Sequence, residues 1–271
     1  MYNFYYNLFS KVFTSLNLSI PAKTVSKDRL ISLIDSLKPR KSGREMIRLG
    51  GNNDGGYLVP NDLDEISACF SPGIDKMIEF EKDCAKRGME LYLIDGSIEK
   101  PEIPDVDFHF LKKFIGSVNN KELVTFDSWV RSSKAYDDKS DYILQADIEG
   151  HEYEMILSTP SELLSRFRIM VFEFHWVEMW INKDFYKIVE SVMSKILENH
   201  VCVHIHPNNH GGYIKHNGIV LPRLLEFTFY RKDRLLSEES IKSIKDFPNQ
   251  LDQPNVSGKK DIYLSSHWFD N

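Results

Sequence analysis

Two short stretches of this 271-residue chain concentrate side chains capable of acid–base or metal chemistry. In the first, Asp147, Glu149, His151 and Glu152 fall within six residues, directly after the apolar run Tyr142–Ala146. Acids in the first turn of a helix are ordinary capping groups. Capping accounts for one or two of these residues, not for three acids and a histidine. In the second stretch, Phe172-Glu173-Phe174-His175-Trp176 closes the apolar run Ile169–Phe174. Side chains alternate along a strand, so Glu173 and His175 share one face and the aromatic residues take the other. A carboxylate beside an imidazole can move a proton near neutral pH. His151, His175 and Glu149 are the candidate bases. Asp147 and Glu173 are also hard oxygen ligands of the type that Mg²⁺ or Mn²⁺ accepts.

A third polar segment, VCVHIHPNNHGGY, puts His204 and His206 on one face of a strand and follows them with a loop. An HxH pair can open a metal site, and with Asp147 and Glu173 it would make a metal-dependent hydrolase. A solvated strand end is the plainer account. Between these stands a pocket lined by His206, Asn208 and Asn209, whose amides both donate and accept and so suit hydroxyl groups. Asn52, Asn53 and Asp54, before Gly55-Gly56, read equally as a hairpin turn or as binding residues. Among the tryptophans, Trp176 is the one expected to stack on a ligand, because it adjoins Glu173 and His175.

A separate ligand site is indicated by CFSPGIDKMIEFEKDCAKRGMELYLIDGS, Cys69 to Ser97. An apolar strand ends in Ser71-Pro72-Gly73, a helix opens near Lys76, and a second strand ends at Asp95. Glycine at such a turn lets the backbone approach a ligand, and a helix N-terminus offers free N–H groups. An acid about 20 residues further on can accept hydrogen bonds from ribose hydroxyls, and Asp95 lies 22 beyond Gly73. Spacing alone leaves Asp95 equally a cap for the Gly96-Ser97 turn. The additional glycines that a dinucleotide pyrophosphate needs are missing. One glycine, with Asp75 and Glu79 near the helix start, suits a ligand without phosphates that carries an ammonium group, as S-adenosylmethionine does, better than NAD.

The elements that must position these residues follow from periodicity. Ser26–Leu37, Lys76–Arg87, Tyr153–Leu157 and Lys183–Asn199 read as helices. Ile66–Ser71, Glu90–Ile94, Asp107–Leu111, Tyr142–Ala146, Ile169–Phe174, Val201–Ile205 and Leu224–Arg231 read as strands, and Arg48–Leu63 as a turn-rich segment. Alternating strands and helices predict an α/β fold with a mainly parallel sheet flanked by helices. Ligands then bind beyond the carboxyl ends of its strands, where strand order reverses. Phe4, Tyr5, Leu8, Phe9, Val12, Phe13 and Leu16 recur at helical spacing. A helical extension is therefore expected over residues 1–40, and a catalytic domain over 41–271. That first helix suits packing on the domain or on a second copy in a homo-oligomer. Lys232–Lys245, rich in both charge signs, reads as a solvated helix.

Composition removes several classes. With 40 acidic and 34 basic residues the net charge is −6, the wrong sign for an electrostatically driven nucleic-acid binder. Three scattered cysteines, Cys69, Cys84 and Cys202, form no CxxC pair. They fit a reducing, cytoplasmic compartment rather than a disulfide framework or zinc ribbon. No apolar run reaches the roughly 20 residues of a transmembrane helix, and the N-terminus makes a poor signal peptide.

Taken together, the motifs resemble those of the FkbM family of S-adenosylmethionine-dependent methyltransferases. The likeness rests on LQADIEGHEYEMIL (Leu144 to Leu157), similar to the family's hydrophobic–Asp–x–Glu–Gly–x–Glu signature. SACFSPGIDKMIEFE, LYLIDGS, FIGS, VTFDSWV and VFEFH accompany it in family order, over roughly residues 48–230. The resemblance implies a Rossmann-like class I methyltransferase fold that transfers methyl to oxygen, often on a sugar or nucleotide-sugar, with N-methylation of another small acceptor as the variant. It implies a cofactor over Phe70, Ser71 and Gly73, with Asp95 on the ribose hydroxyls and Gly96 and Ser97 beside it. Ile115, Gly116 and Ser117 would lie near the adenine, and Asp147 at the reacting end. Glu173 and Trp176 join His206, Asn208 and Asn209 on the acceptor side. Some related sugar methyltransferases use a divalent metal, for which Asp147 and Glu173 are the candidates here. The family usually has a small residue where this chain has His151, so that histidine inherits no role.

Overall fold

The computed structural model describes residues 23–74, 78–236 and 247–269. Helix α1 (Lys27–Leu37) opens on Ser26, whose hydroxyl accepts from the Arg29 amide. A hairpin, β1 (Met46–Leu49) and β2 (Tyr57–Pro60), precedes β3 (Ile66–Pro72), α2 (Glu79–Ala85), β4 (Glu90–Ile94) and β5 (Phe108–Leu111). Then follow β6 (Phe114–Gly116), β7 (Leu123–Thr125), α3 (Phe126–Ser132), β8 (Asp141–Ala146), α4 (Glu152–Ser158) and β9 (Phe167–His175). Helix α5 (Lys183–Asn199) leads to β10 (His200–Pro207), a second hairpin of β11 (Tyr213–His216) and β12 (Ile219–Pro222), and β13 (Leu224–Arg231).

Seven strands form the central sheet, in the order β10-β13-β9-β8-β3-β4-β5. From β9 to β5 neighbours run parallel, while β13 is antiparallel to both β9 and β10. The chain builds outward from β3 to β5, then returns to place β8 on the other side of β3, so strand order reverses between β3 and β8. The mainly parallel α/β sheet flanked by helices is as the periodicity predicts. Both faces are covered, which is why the strands read as apolar runs. On one face α1, α3, α4 and α5 bury Leu30, Ile34, Val130, Ile156 and Val189 against Phe172, Phe174 and Phe227. On the other, Leu49, Tyr57 and Val59 of the first hairpin and Phe80 of α2 pack on Cys69, Ile143 and Val171.

Several expectations need correction. Within the segment read as turn-rich, Leu49, Tyr57, Leu58 and Val59 form buried strands. Their four-residue lengths and the intervening Gly/Asn run hid the apolar pattern. Leu30, Ile34 and Leu37 of α1 are fully buried in the core they share with the sheet. Helix α2 begins at Glu79; residues 75–77, with Asp75, lie outside the described residues. So do the expected N-terminal helix and most of Lys232–Lys245, of which the described part is a short 3₁₀ turn, Lys232–Arg234. The three cysteines are buried and unpaired. No helix among the described residues is long and apolar enough to cross a membrane.

Residues 247–269 return across the domain and insert Trp268, fully buried, beside Trp180 and Phe227, with its Nε1 donating to the Val220 carbonyl. Truncating so large a buried side chain leaves a cavity. Trp268→Ala should therefore lose about 3–5 kcal/mol of unfolding free energy in urea. A loss under about 1 kcal/mol would show that the segment is not integral to the fold.

Candidate active site

The carboxyl ends of β3, β4, β8 and β9 converge where strand order reverses. Two cavities open there, a larger one of about 560 Å³ and a smaller one of about 250 Å³. They share Gly73, Asp95, Ser97, Asp147 and Glu149, so they form one continuous space bent around the end of β4. The smaller is mostly apolar, with Ile94, Phe114, Ile115 and Ile148 as walls. Among the described residues the larger is lined by six carboxyl side chains, Asp54, Glu81, Asp95, Asp147, Glu149 and Glu173, and by no lysine or arginine.

The close approach of β3 and β8 fixes the junction. The Asp147 amide donates to the Pro72 carbonyl at 3.3 Å. At Gly73, φ is +80° and an added Cβ would stand 1.7 Å from the Asp147 carbonyl oxygen. Glycine is thus required by the backbone itself, both for its dihedral and for lack of room. Asp95 does the two things its position allowed. Its Oδ1 caps the turn by accepting from the Ser97 amide and hydroxyl, both at 2.6 Å, and the residue still faces both cavities.

Strand alternation holds on β9, where Phe172 and Phe174 enter the core and Glu173 and His175 reach the cavity. The His175 ring is held at Nδ1, 3.2 Å from Glu152 Oε1. Its Nε2 faces Glu149 Oε2 at 3.3 Å, Asp147 Oδ1 at 3.8 Å and Glu173 Oε1 at 4.0 Å. Glu152 is fully buried and also accepts from the Ile148 and Gly150 amides, so one carboxylate orders both the loop and the imidazole. Burial alone would lower the His175 pKa. The hydrogen bond to Glu152 and the charges of Glu152, Asp147 and Glu149 outweigh it and raise the pKa to about 9. Asp147 moves up to about 7, chiefly because the cavity walls strip water from its carboxylate, with His175 opposing that rise. Its Oδ1 has no hydrogen-bond donor among the described residues.

Behind the larger cavity, the Ser71 hydroxyl lies 2.5 Å from Glu81 Oε1 and 2.7 Å from Gln145 Oε1. One hydroxyl proton cannot serve two acceptors. Either a half-turn of the Gln145 carboxamide or a proton on Glu81, whose pKa burial raises, supplies the second donor, and Gln145 Nε2 as placed reaches Tyr57 at 3.2 Å. Ser71 is therefore fully buried behind the cavity wall, not on it.

Other expected site residues lie elsewhere. Phe70 is in the core, stacked on Tyr92. Gly96 packs under Phe114, whose ring leaves no room for a Cβ. Ile115 lines the smaller cavity, while Gly116 packs on Leu123. His151 sits at the smaller cavity, with its exposed side chain 3.3 Å from Glu154, away from the larger one. Trp176 leaves β9 with φ of +59° and lays its ring over Gly150, 48% exposed and outside both cavities. His206 is buried against Glu226. Asn209 ties down residues 256–261 through Val256 and Asp261. Asn208 does line the larger cavity and donates to Glu173 at 3.0 Å. Asp147 and Glu173 fall in two different triads of possible ligands, Asp147–Glu149–His175 and Asp54–Glu173–Glu226. His204 pairs instead with Asp252 at 2.9 Å, so a hydrolase centre of His204, His206, Asp147 and Glu173 is not assembled.

Glu81, Gln145, Glu226 and Asn255 complete the surroundings and were given no role from the sequence, whereas Glu152 stood out in the acidic cluster but without its partner His175. Asn255 had no local signal, since its partners Asp54 and Glu226 are 201 and 29 residues away. The chain matches no protein-family model and no curated protein.

Because Glu152 raises the His175 pKa, Glu152→Gln should bring the NMR titration midpoint of His175 down from about 9 towards 6.5. An unchanged midpoint would remove Glu152 from this role. The sign for stability follows from the raised pKa. His175 stabilises the fold fully below about pH 6.5, and that contribution is lost as pH rises through about 9.

Proposed function

We propose that the chain is an S-adenosylmethionine-dependent O-methyltransferase acting on a sugar hydroxyl in a reducing, cytoplasmic compartment. The observation that carries this reading is the joined pair of cavities. An apolar slot, a carboxylate at its neck and a carboxylate-rich chamber beyond match a flat base, a ribose and a cationic sulfonium in sequence. Asp95 at the neck is placed to accept from ribose hydroxyls, and Phe114 and Ile115 wall the smaller cavity where the base would lie. The sheet supports the same reading. Its order reverses at β3 and β8, and its one antiparallel strand, β13, lies between β9 and β10, as in the class I methyltransferase fold.

When bound, the cofactor supplies an electrophilic methyl group for in-line displacement, which rewards alignment of the acceptor. Asp147 is the group on hand to take the acceptor's hydroxyl proton. Its Oδ1 lacks an internal donor, and its pKa of about 7 matches the working range of a general base. His175, protonated at neutral pH, opposes the rise in Asp147's pKa and so keeps more of it ionised. Asn208 lines the acceptor side of the cavity, its amide held on Glu173 and Asp54. With six carboxyl side chains and no lysine or arginine among the described residues that line the larger cavity, a neutral sugar fits the reacting end better than a phosphate-bearing one. The phosphates of a nucleotide-sugar would have to lie outside.

S-adenosylmethionine and S-adenosylhomocysteine should each raise the melting temperature, and Asp95→Ala should weaken both by about tenfold or more. No stabilisation by either ligand would sink the proposal. Asp147→Asn should spare that binding and abolish methyl gain by a sugar panel read by mass spectrometry. For wild type, kcat/KM should rise with pH through about 7 as Asp147 ionises and level off above it. His175→Gln should move the acidic limb upward, since a cation that lowers the Asp147 pKa is gone. A limb unmoved in that variant would exclude Asp147 as the base.

A further inference from the structure

Glu173 of β9 and Glu226 of β13 are partners in register across an antiparallel pair, on the same face and both buried. Like charges directly opposed in a sheet destabilise it. Here a third carboxylate, Asp54 of the β1–β2 loop, joins them, with oxygens from all three within 4.8 Å of one another. The groups facing them compensate in part. His206 Nδ1 is 3.3 Å from Glu226, and Asn208 Nδ2 donates to Glu173 and Asp54. Arg48 commits its guanidinium to the carbonyls of Gly51 and Asn53.

Asn255 provides an independent sign of a ligand. The residue is 6% exposed, and its carboxamide enters the triad with Nδ2 2.9 Å from Asp54 and 2.6 Å from Glu226. Its Oδ1 is buried and has no donor among the described residues. A shared proton would relieve one pair of carboxylates but leave that oxygen unserved. The two ends of a carboxamide are nearly isosteric, so a half-turn about its last bond directs the oxygen into the triad. The set then offers carboxylate and carbonyl oxygens alone, the donors preferred by hard divalent ions.

We propose that Asp54, Glu173, Glu226 and the Asn255 carbonyl hold one hard divalent cation of the Mg²⁺ or Mn²⁺ class at the wall of the larger cavity. Glu173 and Asp54 also line that cavity, so the ion's remaining positions face it and can take water or vicinal hydroxyls. Ion binding stands on these residues alone. Its service in orienting an acceptor hydroxyl and lowering that group's pKa rests on the methyltransferase reading. The site differs from the sequence-derived pair by exchanging Asp147 for Asp54, Glu226 and Asn255, and it leaves Asp147 free to move a proton.

The test is calorimetric titration of EDTA-stripped full-length protein with Mn²⁺, with loss of the free-ion EPR signal as a second readout. One ion per chain is expected. Glu226→Gln, which keeps the side-chain shape, and Asn255→Ala should each weaken it by about tenfold or more. Glu149→Gln, in the neighbouring triad, should leave Mn²⁺ affinity unchanged. Circular dichroism of each stripped variant confirms folding. Absence of Mn²⁺ binding by wild type would overturn the site, as would loss of binding in Glu149→Gln with retention in the other two. S-adenosylhomocysteine titrated into the same samples separates the two ideas. Its binding without any Mn²⁺ binding ends the ion proposal alone, whereas Mn²⁺ binding without it ends the methyltransferase reading and keeps the ion.

Discussion

A carboxylate taken from water must be answered by a proton, a hydrogen-bond donor or a cation. Around the larger cavity that requirement recurs, and much of the local structure is its consequence. Glu81 meets it with the Ser71 hydroxyl and a raised pKa. Glu152 meets it at Oε1, with two backbone amides and the His175 imidazole, while its Oε2 faces no donor among the described residues. Asp147 meets it incompletely, with an elevated pKa and an oxygen facing no donor. Asp54, Glu173 and Glu226 meet it through two asparagine amides and His206, with one asparagine oxygen left over.

An arrangement so short of fixed positive charge has a natural complement in a ligand that brings its own. On the proposed reading, a sulfonium carrying an ammonium group would supply it at the cofactor end, and the proposed divalent ion would supply it at the acceptor end. The apolar slot needs neither, and it is walled by Phe114, Ile115, Ile94 and Ile148. Division of one space into an uncharged and an acidic half thus follows from which strand ends carry acids. Gly73 holds the halves in register, because the Asp147 carbonyl leaves no room for a Cβ there.

What could be read from the chain, and what could not, follows the range of each interaction. The strands β3, β4, β8 and β9 and the helices α1 and α5 announce themselves through continuous apolar runs or a 3.6-residue period. Alternation on β9 correctly sends Glu173 and His175 one way and Phe172 and Phe174 the other. It fails at Trp176, where a left-handed residue ends the strand and turns the ring out over Gly150. Strand-end acids are legible because they sit beside their strands. The partners that tune them are not. Glu152 reaches His175 across 23 residues and Asn208 reaches Asp54 across 154, distances at which a single sequence carries no pattern. Residues 247–269 lack periodicity altogether, yet supply Trp268 to the core and Asn255 to the acidic wall.

The central claim is that the cavity prefers a cation at its reacting end. The affinities of S-adenosylmethionine and its uncharged-sulfur counterpart S-adenosylhomocysteine, measured calorimetrically from about pH 6 to about pH 8, test it most directly. As Asp147 loses its proton near pH 7, the preference for the sulfonium over the thioether should increase. A preference that does not change with pH, or a thioether bound more tightly as pH rises, would contradict the account.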